Sequence, residues 1–115
     1  MYFNKREMID GYKFSSKKEM NRYLQVLKPQ LMCNEISDLE IHPKFVLLDK
    51  FTDWNGVKHR AVTYSPDFKY KRKDGTIIIE EIKDESRYLQ EAYTIKKKFF
   101  IRQHLKVGMI FLEVF

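Results

Sequence analysis

The run "IIIEEIK", Ile77 to Lys83, constrains this chain more than any other stretch. Consecutive isoleucines are stiff at χ1 and pack best on a pleated, buried surface, so the segment reads as an interior strand. Asp74-Gly75 just before it is a pair suited to a tight hairpin turn. Side chains alternate along a strand. Ile77, Ile79, Glu81 and Lys83 therefore share one face, and Ile78, Glu80 and Ile82 the other. The strand carries charge into its own buried end, and a fold for this sequence must account for that.

The rest of the chain arranges itself around that strand. Asp10-Gly11 between Glu7-Met8-Ile9 and Tyr12-Lys13-Phe14 predicts a small N-terminal hairpin. Ser16 followed by Glu19 forms a capping box for a helix, with Met20, Tyr23, Leu24, Leu27 and Leu31 as one apolar stripe and Pro29 as a kink or end. Cys33 sits among Leu31, Met32 and Ile36 and reads as a small core hydrophobe. Strand-like runs at 39–48 and 60–70 flank an Asn55-Gly56 turn. After 76–83 comes a long helix over about 86–105, with Leu89, Ala92, Tyr93, Phe99 and Phe100 on one side and Lys96 in the middle of that side. The final strand is "MIFLEVF". The expected fold is α/β, one domain over residues 1–115: an αβββαβ core with a mixed central sheet flanked by helices.

Composition narrows the function classes. The chain has 22 Lys+Arg against 16 Asp+Glu, a formal charge of +6, which favours an anionic partner. No segment approaches the roughly 20 apolar residues that span a bilayer, and the start lacks a secretory signal's apolar core. A single cysteine excludes an internal disulfide and fits a cytoplasmic location. His42, His59 and His104 lack the short spacing of a zinc site, no serine has a glycine-framed elbow, and the four glycines form no phosphate loop.

The chemistry concentrates at the end of the isoleucine strand. A buried carboxylate at Glu81 is costly. Lys83 on the same face relieves part of that cost, and a divalent cation sharing a second carboxylate would relieve more. "YSPDFKY" offers that carboxylate at Asp67, after a proline that a strand tolerates only at an edge, an end or a bulge.

Pro66-Asp67 with Glu81-Ile82-Lys83 resembles the signature of the PD-(D/E)xK nuclease superfamily, and the αβββαβ order is that superfamily's core. More narrowly, "DGYKFSSKKEMNRYL", "IHPKFVL", "YSPDFKY" and "YTIKKKFF" resemble small phage and prophage endonucleases of the DUF1064 type, described as Holliday-junction-resolvase-like. The resemblance covers about residues 4–111 and implies a restriction-endonuclease-like fold. It implies a homodimeric Mg²⁺- or Mn²⁺-dependent endonuclease acting on DNA, plausibly on branched structures in phage recombination or packaging. It makes Asp67, Glu81, Glu19 and the Ile82 carbonyl the metal ligands, and Lys83 the residue that activates water and steadies the phosphate. His42 departs from the narrower family, where glutamine is expected.

Plainer roles exist for each residue. Glu19 serves a helix cap, Glu81 and Lys83 a cross-strand ion pair, and Asp67 a turn. Lys96 either snorkels or reaches a DNA phosphate. Lys98 and the group Lys69, Lys71, Arg72 and Lys73 either grip a DNA backbone or form ordinary solvated surface. A catalytically inactive DNA-binding or protein-interaction module of the same fold is the rival reading.

Overall fold

The computed structural model describes residues 8–83 and 91–115. Its centre is a four-stranded mixed sheet, in the order β10 (Met109–Val114), β9 (Ile77–Ile82), β8 (Phe68–Arg72), β3 (Ile36–Ile41). β9 runs antiparallel to β8 and parallel to β10. A parallel neighbour requires a crossover, and α3 (Glu91–His104) lies in that connection. The molecule is thus a small α/β domain with a central mixed sheet and helical segments on both faces. The expected first residues of α3, 86–90, lie outside the described residues.

β9 is buried on both faces, which explains its unbroken isoleucines. On one face Ile78 packs with Phe14, Tyr23, Leu27, Phe68 and Tyr70 beneath the N-terminal helix. On the other, Ile79 packs with Leu47, Tyr64 and Phe100 beneath α3. Ile78, Ile79, Phe68 and Phe100 are fully enclosed. Each such side chain contributes about 1.5–3 kcal/mol of burial.

The N-terminal hairpin forms as expected, from β1 (Met8–Ile9) and β2 (Tyr12–Lys13). The following helix has three segments: α1 (Lys17–Arg22), a π-helical turn (Tyr23–Leu27) and α2 (Lys28–Met32). Pro29 gives the reason. It has no N–H, and its ring clashes with the carbonyl four residues back, so the preceding turn widens. The Lys28 N–H accordingly donates to Tyr23 O, five residues back. Cys33, expected in the core, is exposed, because α2 ends at Met32 and the chain turns away from the sheet there.

The two expected strands at 39–48 and 60–70 are each broken in two. His42-Pro43-Lys44 separates β3 from β4 (Phe45–Leu48), and Ser65-Pro66-Asp67 separates β7 (Val62–Tyr64) from β8. β4 pairs with β7 and β3 with β8. One long ribbon therefore bends at two facing prolines, neither of which can donate to a ladder. Its outer half lies under α3, and its tip is a hairpin of β5 (Phe51–Thr52) and β6 (Lys58–His59).

The sheet-facing stripe of α3 also differs from expectation. Tyr93, Lys97, Phe100 and His104 face inward, whereas Ala92 and Phe99 are exposed. Lys97 reaches Glu113 at 3.1 Å and lies over the Phe111 ring, while Lys96, half-buried, sits beside the stripe. Of the expected stripe, Tyr93 and Phe100 pack on the sheet and Ala92 and Phe99 do not. Among the described residues no helix is long and apolar enough to cross a membrane.

Candidate functional site

The ribbon's bend places the site. Asp67 follows the buried Pro66, and its N–H donates to the Glu80 carbonyl at 3.0 Å. Its own carbonyl accepts from the His42 N–H at 3.0 Å, and its Oδ2 accepts from the Ile82 N–H at 2.7 Å. Backbone on both sides thus fixes one carboxylate at the rim of the sheet.

Glu19 arrives from the helical layer. Ser16 caps α1 by accepting from the Glu19 N–H at 3.1 Å, the first half of the expected capping box. The Glu19 carboxylate turns inward and is 1% exposed. Oε2 accepts from Ser15 Oγ at 2.7 Å, and Oε1 lies 2.7 Å from His42 Nε2. The two make an ion-pair contact when the imidazole is protonated, and both atoms are buried. One ligand atom from each of Glu19, His42 and Asp67 lies within 4.8 Å of the others. His42 has φ 54°, a left-handed conformation uncommon outside glycine, at the break between β3 and β4.

Glu81 completes the acidic group from the face of α3. β8 and β9 pair Phe68 with Glu80, so the next position along puts Glu81 beside Asp67. The Tyr64 hydroxyl donates to Glu81 Oε1. Lys83 Nζ sits 3.4 Å from the centre of the Tyr93 ring, a cation–π contact, and its backbone carbonyl accepts from Lys18 Nζ. Glu113 stands next to Glu81 in the parallel register and accepts from the Tyr93 hydroxyl at 2.6 Å.

The adjacent Glu80 has a different fate. It is fully buried on the opposite face, bonded by Arg22 Nε at 3.1 Å, Arg22 Nη2 at 2.8 Å and the Tyr70 hydroxyl. That paired, bidentate arrangement satisfies the carboxylate and ties the helix to the sheet. Of two successive glutamates, one is neutralised for the fold and one is left for the site.

The electrostatics of the cluster are those of crowded, desolvated acids. Burial, with the Glu81 charge and the Glu19 carboxyl beside it, pushes Asp67 up to about 9. Burial also raises Glu81, against the opposing effects of Tyr64, Asp67 and the Lys83 charge. At Glu19 burial is the largest single influence, but His42, Asp67 and Ser15 together outweigh it and hold its carboxyl below the usual value. Glu19 in turn raises the His42 imidazole.

The structure therefore brings together Glu19, Asp67, Glu81 and Lys83, with the Ile82 amide bonded to Asp67. The expected DNA contacts are dispersed. Lys71, Arg72 and Lys73 are exposed at the opposite end of the β8–β9 hairpin, on the order of 15 Å along the strand from Asp67. Lys69 is half-buried with Nζ 6.0 Å from the Phe45 ring centre, and Lys98 is exposed on α3. In the sequence His42 reads as a departure from the family pattern and as one of three scattered histidines, Lys97 as solvated or phosphate-facing surface, and Tyr64, Tyr93 and Glu113 carry no site assignment. A signal for Glu113 existed: it is a lone charge in an apolar strand, as Glu81 is.

The donor set fits a divalent cation. It is rich in carboxylate oxygens with one imidazole, and one ligand atom from each of Glu19, His42 and Asp67 already converges there. Residues 1–113 match the sequence model of the family described as "Protein of unknown function (DUF1064)". No match is found among curated proteins or among solved structures.

Proposed function

We propose that this chain, which belongs to the DUF1064 family, is a metal-dependent endonuclease of the PD-(D/E)xK type that hydrolyses phosphodiester bonds in DNA. The carrying observation is the convergence of Glu19, Asp67 and Glu81 at one rim of the sheet, with Glu19 Oε1 buried against His42 Nε2. A fold has no stabilising reason to crowd three carboxyls in this way. Branched DNA is the proposed substrate class, cut by a homodimer with one site per strand.

Glu19, His42 and Asp67 would hold the cation, with Glu81 beside them, and the Ile82 carbonyl is a further candidate at the same strand end. Bound Mg²⁺ or Mn²⁺ would supply positive charge to the scissile phosphate and make water more acidic there. Lys83 keeps its ammonium on the Tyr93 ring, next to Glu81, where it can donate to a phosphate oxygen or orient water. Tyr64 holds Glu81 in one orientation, and the Ile82 amide does the same for Asp67. Mounting these groups on strand ends keeps them in register.

The test is a cleavage panel of linear, flapped and four-way DNA with EDTA, Mg²⁺ or Mn²⁺. Cutting should require metal and be lost in Asp67→Asn and Lys83→Ala while circular dichroism is unchanged. Undiminished cutting by Lys83→Ala would overturn the role given to that lysine. Tight DNA binding without cutting under any metal would favour an inactive binding module.

A further inference from the structure

The hairpin at the far end of the bent ribbon is a candidate base-stacking arm. Trp54, the chain's single tryptophan, is 94% exposed at its tip. The loop that presents it is tightly built. Gly56 N–H donates to the Asp53 carbonyl at 2.9 Å and Asp53 N–H to the Val57 carbonyl at 2.9 Å, with Gly56 at φ 86°. That is a turn closed by a glycine bulge. Asp53 Oδ1 accepts from the Asn55 and Val57 amides, and its Oδ2 lies 2.9 Å from His59 Nε2. Phe51 and His59 stack across the stalk at 4.7 Å and 20°. A two-stranded hairpin is marginal alone, and these contacts hold its shape outside the main sheet.

An indole left in water on a stiff support is a poor contribution to folding and a good one to recognition. The charges around it select the partner. Lys50, Lys58 and Arg60 are exposed against one exposed acid, Asp49, so the arm is net positive, and Asp53 is turned inward to His59 and the loop amides. A cationic arm tipped by an aromatic ring suits a polyanion that offers flat faces.

The geometry points to Trp54 stacking on an unpaired or unstacked base of a nucleic acid whose phosphates are met by Lys50, Lys58 and Arg60. This rests on DNA being the partner, and it specifies DNA with accessible bases, such as a junction, flap or gap. The chain runs back from the arm through β4 and β7, and past the breaks at Pro43 and Pro66, to His42 and Asp67. From Pro43 to Trp54 the chain spans at most about 40 Å. The arm therefore reads structure within about one helical turn of the proposed metal site.

Trp54 as sole indole gives a direct readout. Its emission should start at the long wavelength of a solvated indole. In EDTA it should be quenched by single-stranded and four-way oligonucleotides more than by a fully paired duplex of equal length. By anisotropy of labelled junction DNA, Trp54→Ala should weaken binding at least fivefold, the lower end of the roughly 1–3 kcal/mol that stacking on one base contributes. Trp54→Phe should retain most of the affinity. DNA binding by anisotropy with unchanged indole emission would overturn the inference, as would equal quenching by duplex. A concentration-dependent blue shift without DNA would overturn it in favour of a second copy covering the arm. Metal-dependent cutting scored separately distinguishes the two proposals: cutting with silent Trp54 sinks this one alone, and neither cutting nor binding sinks both.

Discussion

Replacing Asp67 by asparagine should stabilise the metal-free protein. The amide oxygen can still accept from the Ile82 N–H, and the amide nitrogen can donate toward Glu19 or Glu81. The carboxyl of Asp67 lies near 3.8 when unfolded and about 9 in the fold. Between those values the native state binds a proton that the unfolded state does not, so stability falls as pH rises through the window. At pH 7 the ceiling on that cost is roughly 4 kcal/mol, from about 1.4 kcal/mol per pH unit above the unfolded pKa. Glu19 and Glu81 share the crowding and Asp67 keeps some solvent contact, so about 1–3 kcal/mol should be recovered. For a domain of this size that is a rise in melting temperature of roughly 4–12 °C. The assay is thermal melting in EDTA from pH 4 to pH 9. The gap between variant and wild type should be near zero at pH 4 and widen toward pH 9. Saturating Mn²⁺ should then raise wild type by roughly 3 kcal/mol at a hundredfold excess over Kd and the variant by much less. If Asp67→Asn is destabilised in EDTA at pH 8, or both proteins gain equally from Mn²⁺, the reasoning fails.

Arg22→Met should cost about 3–5 kcal/mol in urea melts by leaving Glu80 buried and charged, yet leave Mn²⁺ affinity unchanged in the folded variant. Tyr64→Phe removes the donor to Glu81 Oε1 and should cost about 1–3 kcal/mol by the same assay. His42→Ala should weaken Mn²⁺ or Co²⁺ binding more than Mg²⁺ binding in calorimetric titrations, because imidazole is the softer ligand of the set. DNA affinity should fall steeply with salt, and neutralising Lys71 and Lys73 together should reduce the slope of log K against log salt by up to about 2.

Much of this arrangement was legible in the residues. Three isoleucines bounded by a hairpin pair located the central strand, and alternation separated Glu81 with Lys83 from Glu80. The Ser16 cap located the first helix, and Pro66 marked the place where a strand stops and a side chain can be aimed. Contributions from chain segments distant in sequence were not legible. No local pattern pairs Arg22 with Glu80 or brings His42 onto Glu19, since both depend on how far the ribbon bends at its two prolines. The stripe of α3 was legible at Tyr93 and Phe100 but too wide, because Phe99 and Phe100 are both large and apolar and only the sheet beneath selects between them. Cys33 failed for a similar reason: apolar neighbours in sequence do not keep a residue inside once its helix has ended.

The central claim is that Glu19, His42 and Asp67, with Glu81 beside them, are gathered to hold a divalent cation. Calorimetric titration of Mn²⁺ into the chelator-stripped protein tests it without DNA or turnover. The account expects saturable binding in wild type that is lost in Asp67→Asn and in Glu19→Gln, both still folded. Wild type that takes up no Mn²⁺, or variants that bind it as tightly as wild type, would contradict the claim.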